Sequence, residues 1–197
     1  MYKVVDREAR RAELAEAVWR IIRRDGLSQA SVRNVAREAG LSQGSLRHYF
    51  TTQAELLAFS LAMVGERIRD RMSVVSRNLD GPDMIAELAE AVMPLDEDRR
   101  VETEVWLAFL GAALTDPALR SLNDETFDGV HHLFTELLTH LVELGQARTG
   151  LDVVTETARL HALVDGLAMH GVVRPDVATP EHLRHILTTH ITDLCHQ

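Results

Sequence analysis

Apolar residues recur every three to four positions along nearly the whole chain, and no stretch alternates apolar with polar residues over the length of a strand. Leu14, Val18 and Ile21/Ile22 form one such stripe, while Arg10, Arg11, Glu13, Arg20, Arg23 and Arg24 fill the other face. This spacing predicts a first helix over residues 7–25, closed by Gly26, which can take the left-handed conformation of a helix stop. Ser31 is placed to cap a short helix carrying Val32, Val35, Ala36 and Ala39, ended by Gly40. Ser42 opens a third helix over 43–49, and Thr52 with Glu55 forms a capping box for a long fourth, 53–78. Gly81-Pro82 reads as a breaker. Helices from Asp83 to Met93, Asp96 to Thr115, Pro117 to Gly145, Asp152 to Val173 and Thr179 to Leu194 follow. The expected fold is all-α, with about nine helices.

Composition refines this in one respect. With 197 residues, 46% of them hydrophobic and only five prolines, the chain can bury a core in each of two modest domains. Its net charge of −9 argues against nucleic acid until the distribution is considered. Residues 1–53 hold ten Lys/Arg against six Asp/Glu, whereas the remainder holds eleven against twenty-four. A basic head on an acidic body is expected when one end meets phosphate and the rest only needs to stay in solution. The predicted division is 1–52 and 53–197. The start of the sequence lacks the apolar run of a signal peptide. The run from Leu107 to Leu114 is far shorter than the roughly 20 residues a bilayer requires. A lone Cys195 excludes an intrachain disulfide. A cytoplasmic protein without a membrane partner is expected.

The segment Ser31 to Leu57 is the most informative. It reads as two short helices joined by Gly40-Leu41-Ser42, with Val35, Ala36, Leu46 and Phe50 as their shared core. The second helix turns Gln43, Gly44, Ser45, Arg47 and His48 outward. A helix of this kind fits the DNA major groove, and its first turn reaches base edges.

These residues resemble the signature of the TetR/AcrR family of transcriptional regulators. The likeness rests on Ala39-Gly40-Leu41-Ser42, Gly44-Ser45-Leu46, Tyr49-Phe50 and Glu55-Leu56-Leu57. Farther along, Leu114 to Leu119 and Leu163 to Ala168 are similar to the C-terminal domain of the choline-responsive, BetI-like branch. The resemblance implies a helix-turn-helix DNA-binding domain at 1–52 and a ligand-sensing, dimerising domain at 53–197. It implies base or groove contacts from Arg33, Gln43, Ser45 and Arg47, beside Gly44 and His48, and phosphate contacts from Ser31, Tyr49, Thr52 and Gln53. Arg47 stands where the family usually has tyrosine, and Gln53 where it often has a phosphate-binding lysine, so the operator cannot be borrowed from a relative. Two readings stay open for Tyr49, phosphate contact or core. Arg33 and Arg37 equally suit a solvated helix face.

The body offers no catalytic constellation: it has no Gly-rich phosphate loop, nucleophile elbow or carboxylate pair. No enzyme and no cofactor is expected. His182, His185 and His190 share one helix but are too spread for one tetrahedral ion, and no metal site is expected. A sensor pocket would draw on Met93, Trp106, Phe109, Leu110, Phe127, His131, Phe134, His161, Met169 and His170, residues that suit a plain core as well. The stripe Leu183, Leu187, His190, Ile191 and Leu194, with Leu160 and Leu167 on the preceding helix, is the expected homodimer seam. Gly166 and Gly171 would permit close helix approach there. The partners expected are a double-stranded DNA operator, a small-molecule effector and a second copy of the chain.

Overall fold

The computed structural model describes residues 7–75 and 80–195. Among these lie nine α-helices, one short 3-10 turn and no strand. They are α1 (Arg7–Asp25), α2 (Val32–Glu38), α3 (Gln43–Arg47), α4 (Gln53–Val75), α5 (Gly81–Glu90), α6 (Glu97–Ala113), α7 (Pro117–Glu143), α8 (Val153–Val173) and α9 (Pro180–Cys195). Side chains set the starts of several. Ser31 accepts from the Asn34 amide at 3.2 Å, and Ser42 from that of Ser45 at 3.0 Å. Asp152 accepts from the Val154 amide at 3.2 Å. Each bond satisfies a first-turn donor that the helix itself cannot.

Two starts differ from expectation. α5 begins at Gly81, two residues before the expected Asp83: Asp80 is the cap, accepting from the Gly81 amide at 2.8 Å, and proline needs no hydrogen-bond partner in a first turn. At α4, Thr52 accepts from the Glu55 amide at 3.0 Å as a capping box requires. The Glu55 carboxylate, however, returns to the amide and hydroxyl of Thr51, at 2.8 and 2.7 Å. The backbone bond and then the hydroxyl hold that carboxylate below its usual range. The expected last residues of α4 fall partly on 76–79, outside the described residues.

The helices divide into two compact units. The first holds α1 to α3, α4 as far as Arg67, and residues 104–123. Here α1 packs on α2, and α2 on α3. Leu14, Val18, Ile21, Val35, Ala36, Leu46, Phe50 and Leu56 are buried, as their spacing requires. Trp19 donates from its indole nitrogen to the Ser60 carbonyl at 3.1 Å, tying α1 to α4. Arg67, paired with Glu16, lies over the Trp19 ring at 4.4 Å. Arg11 likewise covers Phe59 and Phe50, at 4.3 and 5.0 Å.

The second unit holds residues 68–103 and 124–195. Its core gathers Ile85, Leu88, Met93, Phe134, Leu138, Leu141, Leu160, Val164 and Leu167 with the inner face of α9. Gly171 is required by that packing: a Cβ there would sit 2.6 Å from Pro94 Cγ and 2.9 Å from Leu183 Cδ1. Gly166 has open space around it within the chain.

Candidate nucleic-acid interface and sensor cluster

In the first unit, α2 and α3 present the expected residues at their surface. Arg33, Gln43, Gly44, Arg47, His48, Thr52 and Gln53 are exposed, and Ser31, Ser45 and Tyr49 are half-buried. The Ser45 hydroxyl lies 2.8 Å from that of Ser42, so it is engaged at the helix start. Ser31 and Thr52 use their oxygens as caps and keep an O–H free to donate to a phosphate. The arginines separate into two groups. Arg20 and Arg24 reach the Glu38 carboxylate at 3.1 and 3.2 Å, Arg10 pairs with Glu13, and Arg37 donates to Asn34 at 3.3 Å. The bonds from Arg20 and Arg24 lower the Glu38 pKa. Arg33 and Arg47 make no hydrogen bond or ion pair among the described residues. Arg33 on α2 and Arg47 on α3 are therefore exposed charges without a partner among the described residues.

Gln43 and Arg47 are four positions apart and share one helix face. At about 1.5 Å per residue they are separated by about 6 Å along the axis, close to two base-pair steps of about 3.4 Å each. Glutamine and arginine are the side chains that pair bidentately with adenine and guanine.

In the second unit the expected pocket residues disperse. Met93 is fully buried in the core, and Met169 and His170 are exposed on α8. Trp106, Phe109 and Leu110 belong to the first unit, where Phe109 is buried. Phe127, His131 and His161 do come together. The Phe127 ring lies 4.5 Å from His161 and nearly parallel to His131 at 6.0 Å, and the two imidazoles are 5.8 Å apart. Phe134 meets His161 edge-on at 5.9 Å. Asp165, one turn along α8, places Oδ2 3.8 Å from His161 Nε2. Sequence reasoning missed Asp165, although its i,i+4 spacing from His161 was a usable signal. Burial lowers the His161 pKa, opposed by the Asp165 charge and reinforced by His131, and burial raises that of Asp165. No group of three or more His, Cys, Asp or Glu among the described residues is placed to hold a metal.

An open cleft of about 290 Å³ lies elsewhere in this unit, lined by Arg71, Glu87, Glu90, Asp96, Asp98 and Arg99 among others. Its arginines are engaged. Arg71 donates to the Ala91 carbonyl at 3.0 Å and pairs with buried Glu102, while Arg99 bonds Asp96 at 2.6 Å and the Glu90 carbonyl at 3.2 Å. These bonds fasten the end of α4 to the α5–α6 connection.

The residues of the expected dimer seam point into the chain's own core. Leu160, Leu167, Leu183, Leu187, Ile191 and Leu194 are at most 5% exposed and belong to the core of their own unit. Half-buried His190 leaves Nε2 without a partner among the described residues. Apolar residues on the opposite side of α8 do face solvent. Val154, Ala158, Ala162, Met169 and Val173 are exposed along a line of helical spacing.

Two short helices joined by a tight turn, with exposed arginines, ahead of an all-helical body, have the architecture of a helix-turn-helix transcriptional regulator. Residues 14–58 match the family described as bacterial regulatory proteins, tetR family, and residues 82–196 match the BetI-type transcriptional repressor C-terminal domain. The chain belongs to the TetR family. It is 37% identical over 196 residues to the HTH-type transcriptional regulator PksA of Bacillus subtilis, covering 99% of this chain and 94% of that one. It is 30% identical to the regulator BetI of Ectopseudomonas mendocina, covering 94% and 93%. A transcriptional regulator from Rhodococcus sp. Rha1 shares the fold with a TM-score of 0.82 and 33% identity, over 93% of this chain and 95% of that one. A Saccharomonospora viridis regulator in complex with choline superposes with a TM-score of 0.85 at 22% identity, over 94% and 96%. The chain is a transcriptional regulator and not an enzyme. No described helix is long and apolar enough to cross a membrane.

Proposed function

We propose that the protein is a ligand-responsive repressor that binds a palindromic operator as a homodimer and releases it when a small molecule occupies the second unit. The observation that carries this reading is the unpaired Arg33 and Arg47 beside Gln43 on the outer face of α2 and α3. Two copies of α3 about 34–36 Å apart would enter successive major grooves. The exposed line from Val154 to Val173 supports α8 as the surface that joins the copies, because an apolar stripe of that length gains by leaving water. An effector acts by favouring a spacing of the two readers that does not fit the operator, and DNA must then weaken effector binding by the same factor. α4 begins beside the reader and ends in the second unit, which makes it the natural link. Selection from random duplexes, followed by titration of the enriched duplex at several salt concentrations, tests the reading. Enrichment of a two-fold site with steep salt dependence is expected. Absence of any enriched sequence overturns it.

A further inference from the structure

Six buried side-chain polar atoms have no hydrogen-bond partner among the described residues, and two of them, Nδ1 of His131 and Nδ1 of His161, lie in the same cluster. The others do not converge in this way. Arg11 is engaged with two rings and Arg148 with Glu156, while Thr157 and His190 sit outside the cluster's ring contacts. His161 is the sharper case, because the residue is only 4% exposed.

We infer that the Phe127–His131–His161–Asp165 cluster anchors the effector and takes a flat unsaturated ring bearing an O–H donor, a phenol in chemical class. The inference rests on the reading of the second unit as a sensor. The Asp165 carboxylate 3.8 Å from His161 Nε2 favours the tautomer whose N–H faces it. Nδ1 is then a lone pair, buried and without a donor. Burial keeps the imidazole neutral, so the lone pair persists near neutral pH. A hydroxyl supplies the missing donor, whereas a quaternary ammonium, an ether or a carboxylate has none to give. A carboxylate is further disfavoured by the Asp165 charge beside it.

The rest of the cluster selects the ring. Phe127 is 51% exposed although it is a phenylalanine, and it stands over the two imidazoles at 4.5 and 6.0 Å. Its open face offers stacking area at the outer edge of the group, while buried Phe134 closes the inner edge. His131 provides a second buried nitrogen without a partner among the described residues, on a ring 5.8 Å from that of His161.

The experiment titrates the full-length protein with four probes of similar shape: phenol, toluene, benzoate and phenyltrimethylammonium. Binding is read from histidine ring signals in NMR spectra. Phenol should bind about 10-fold to 100-fold more tightly than toluene, the factor expected when a buried acceptor is left unpaired. It should shift the His131 and His161 signals. His161→Phe, which keeps a ring and removes the acceptor, should bring phenol down to the toluene level. Phe127→Ala, at an exposed ring that folding can spare, should weaken phenol and toluene together. Equal binding of phenol and toluene, or no phenol binding up to millimolar concentration, overturns the assignment. So does tighter binding of phenyltrimethylammonium that is lost in Asp165→Asn, which would make the cluster a cation site. A parallel operator-binding assay separates this assignment from the sensor reading. Phenol that binds here without altering operator affinity upholds the anchor and overturns the sensor role. Release of the operator by a molecule that leaves these signals unmoved upholds the sensor role and overturns the anchor.

Discussion

Arg47→Ala isolates the most specific claim about the reader. The Arg47 side chain is exposed and has no ion pair or hydrogen bond to lose within the protein, so its removal should leave the head folded. Its bidentate pairing with guanine is worth about 1–3 kcal/mol per half-site. Because separated positions add, a two-fold operator should lose about 2–6 kcal/mol, at least about 30-fold in affinity. Base preference should vanish at one position per half-site. Gln43→Ala should act about two base pairs away, since the two side chains are one helical turn apart. Arg24→Ala supplies the contrast, because its guanidinium is already shared between Glu38 and Asp25. It should change operator affinity little. The assay is selection from random duplexes with each variant, followed by titration of the enriched sequence. If Arg47→Ala weakens every duplex equally and leaves base preference intact, Arg47 is a phosphate contact and the reasoning from its free side chain to guanine fails.

Further expectations follow from the caps, the outer face of α8 and the buried histidines. Thr52→Ala removes the oxygen that accepts from Glu55 and should cost about 1 kcal/mol of stability in denaturant titration; an unchanged midpoint would show that the cap is redundant. Ala162→Glu places a charge on the exposed line of α8 and should yield folded monomers in sedimentation, whereas a tight dimer would place the interface elsewhere. Leu187→Asp puts its charge in the core and should destabilise the fold by several kcal/mol, read as a fall in melting temperature. His161 and His190 are held below their ordinary pKa by burial, so the unfolded chain binds protons that the native chain refuses as pH falls below about 6.5. Their contribution is complete above that value and is lost below it. Asp165, raised by burial, acts in the opposite sense nearer its own range. The melting temperature should drop between pH 7.5 and 5.5, less so in His161→Phe, and a flat profile would contradict the assignment.

The caps explain why the helices were legible. Ser31, Ser42 and Asp152 are local signals, each acting within three residues of its own position, and all three start the helices they were expected to start. The start of α5 was placed two residues late because Asp83 was read as its cap, whereas Asp80 caps it and leaves Pro82 in the first turn, where its missing N–H costs nothing. The α9 stripe was legible as buried but not as buried against what. Leu183, Leu187, Ile191 and Leu194 have the same periodicity whether they meet α5 and α8 or a second copy. α8 was expected in the seam through Leu160 and Leu167, but its solvent-facing residues are Val154, Ala158, Ala162, Met169 and Val173, and spacing alone does not tell the two faces apart in a helix that is apolar nearly all round. The cluster of Phe127, His131 and His161 joins residues some thirty positions apart, so the contact of His131 with His161 depends on how α7 meets α8. No local pattern encodes it.

The central claim is that the free basic face of α2 and α3 reads a two-fold DNA site. Titration of the selected duplex with the full-length protein, across salt concentrations, tests it most directly. Sequence-specific binding is expected to a palindrome whose half-sites are centred about one helical turn apart, with affinity falling steeply as salt rises and one fewer ionic contact per half-site if Arg33 is replaced by alanine. Binding that is indifferent to sequence, or a salt dependence that stays flat and is unchanged in Arg33→Ala, would contradict it.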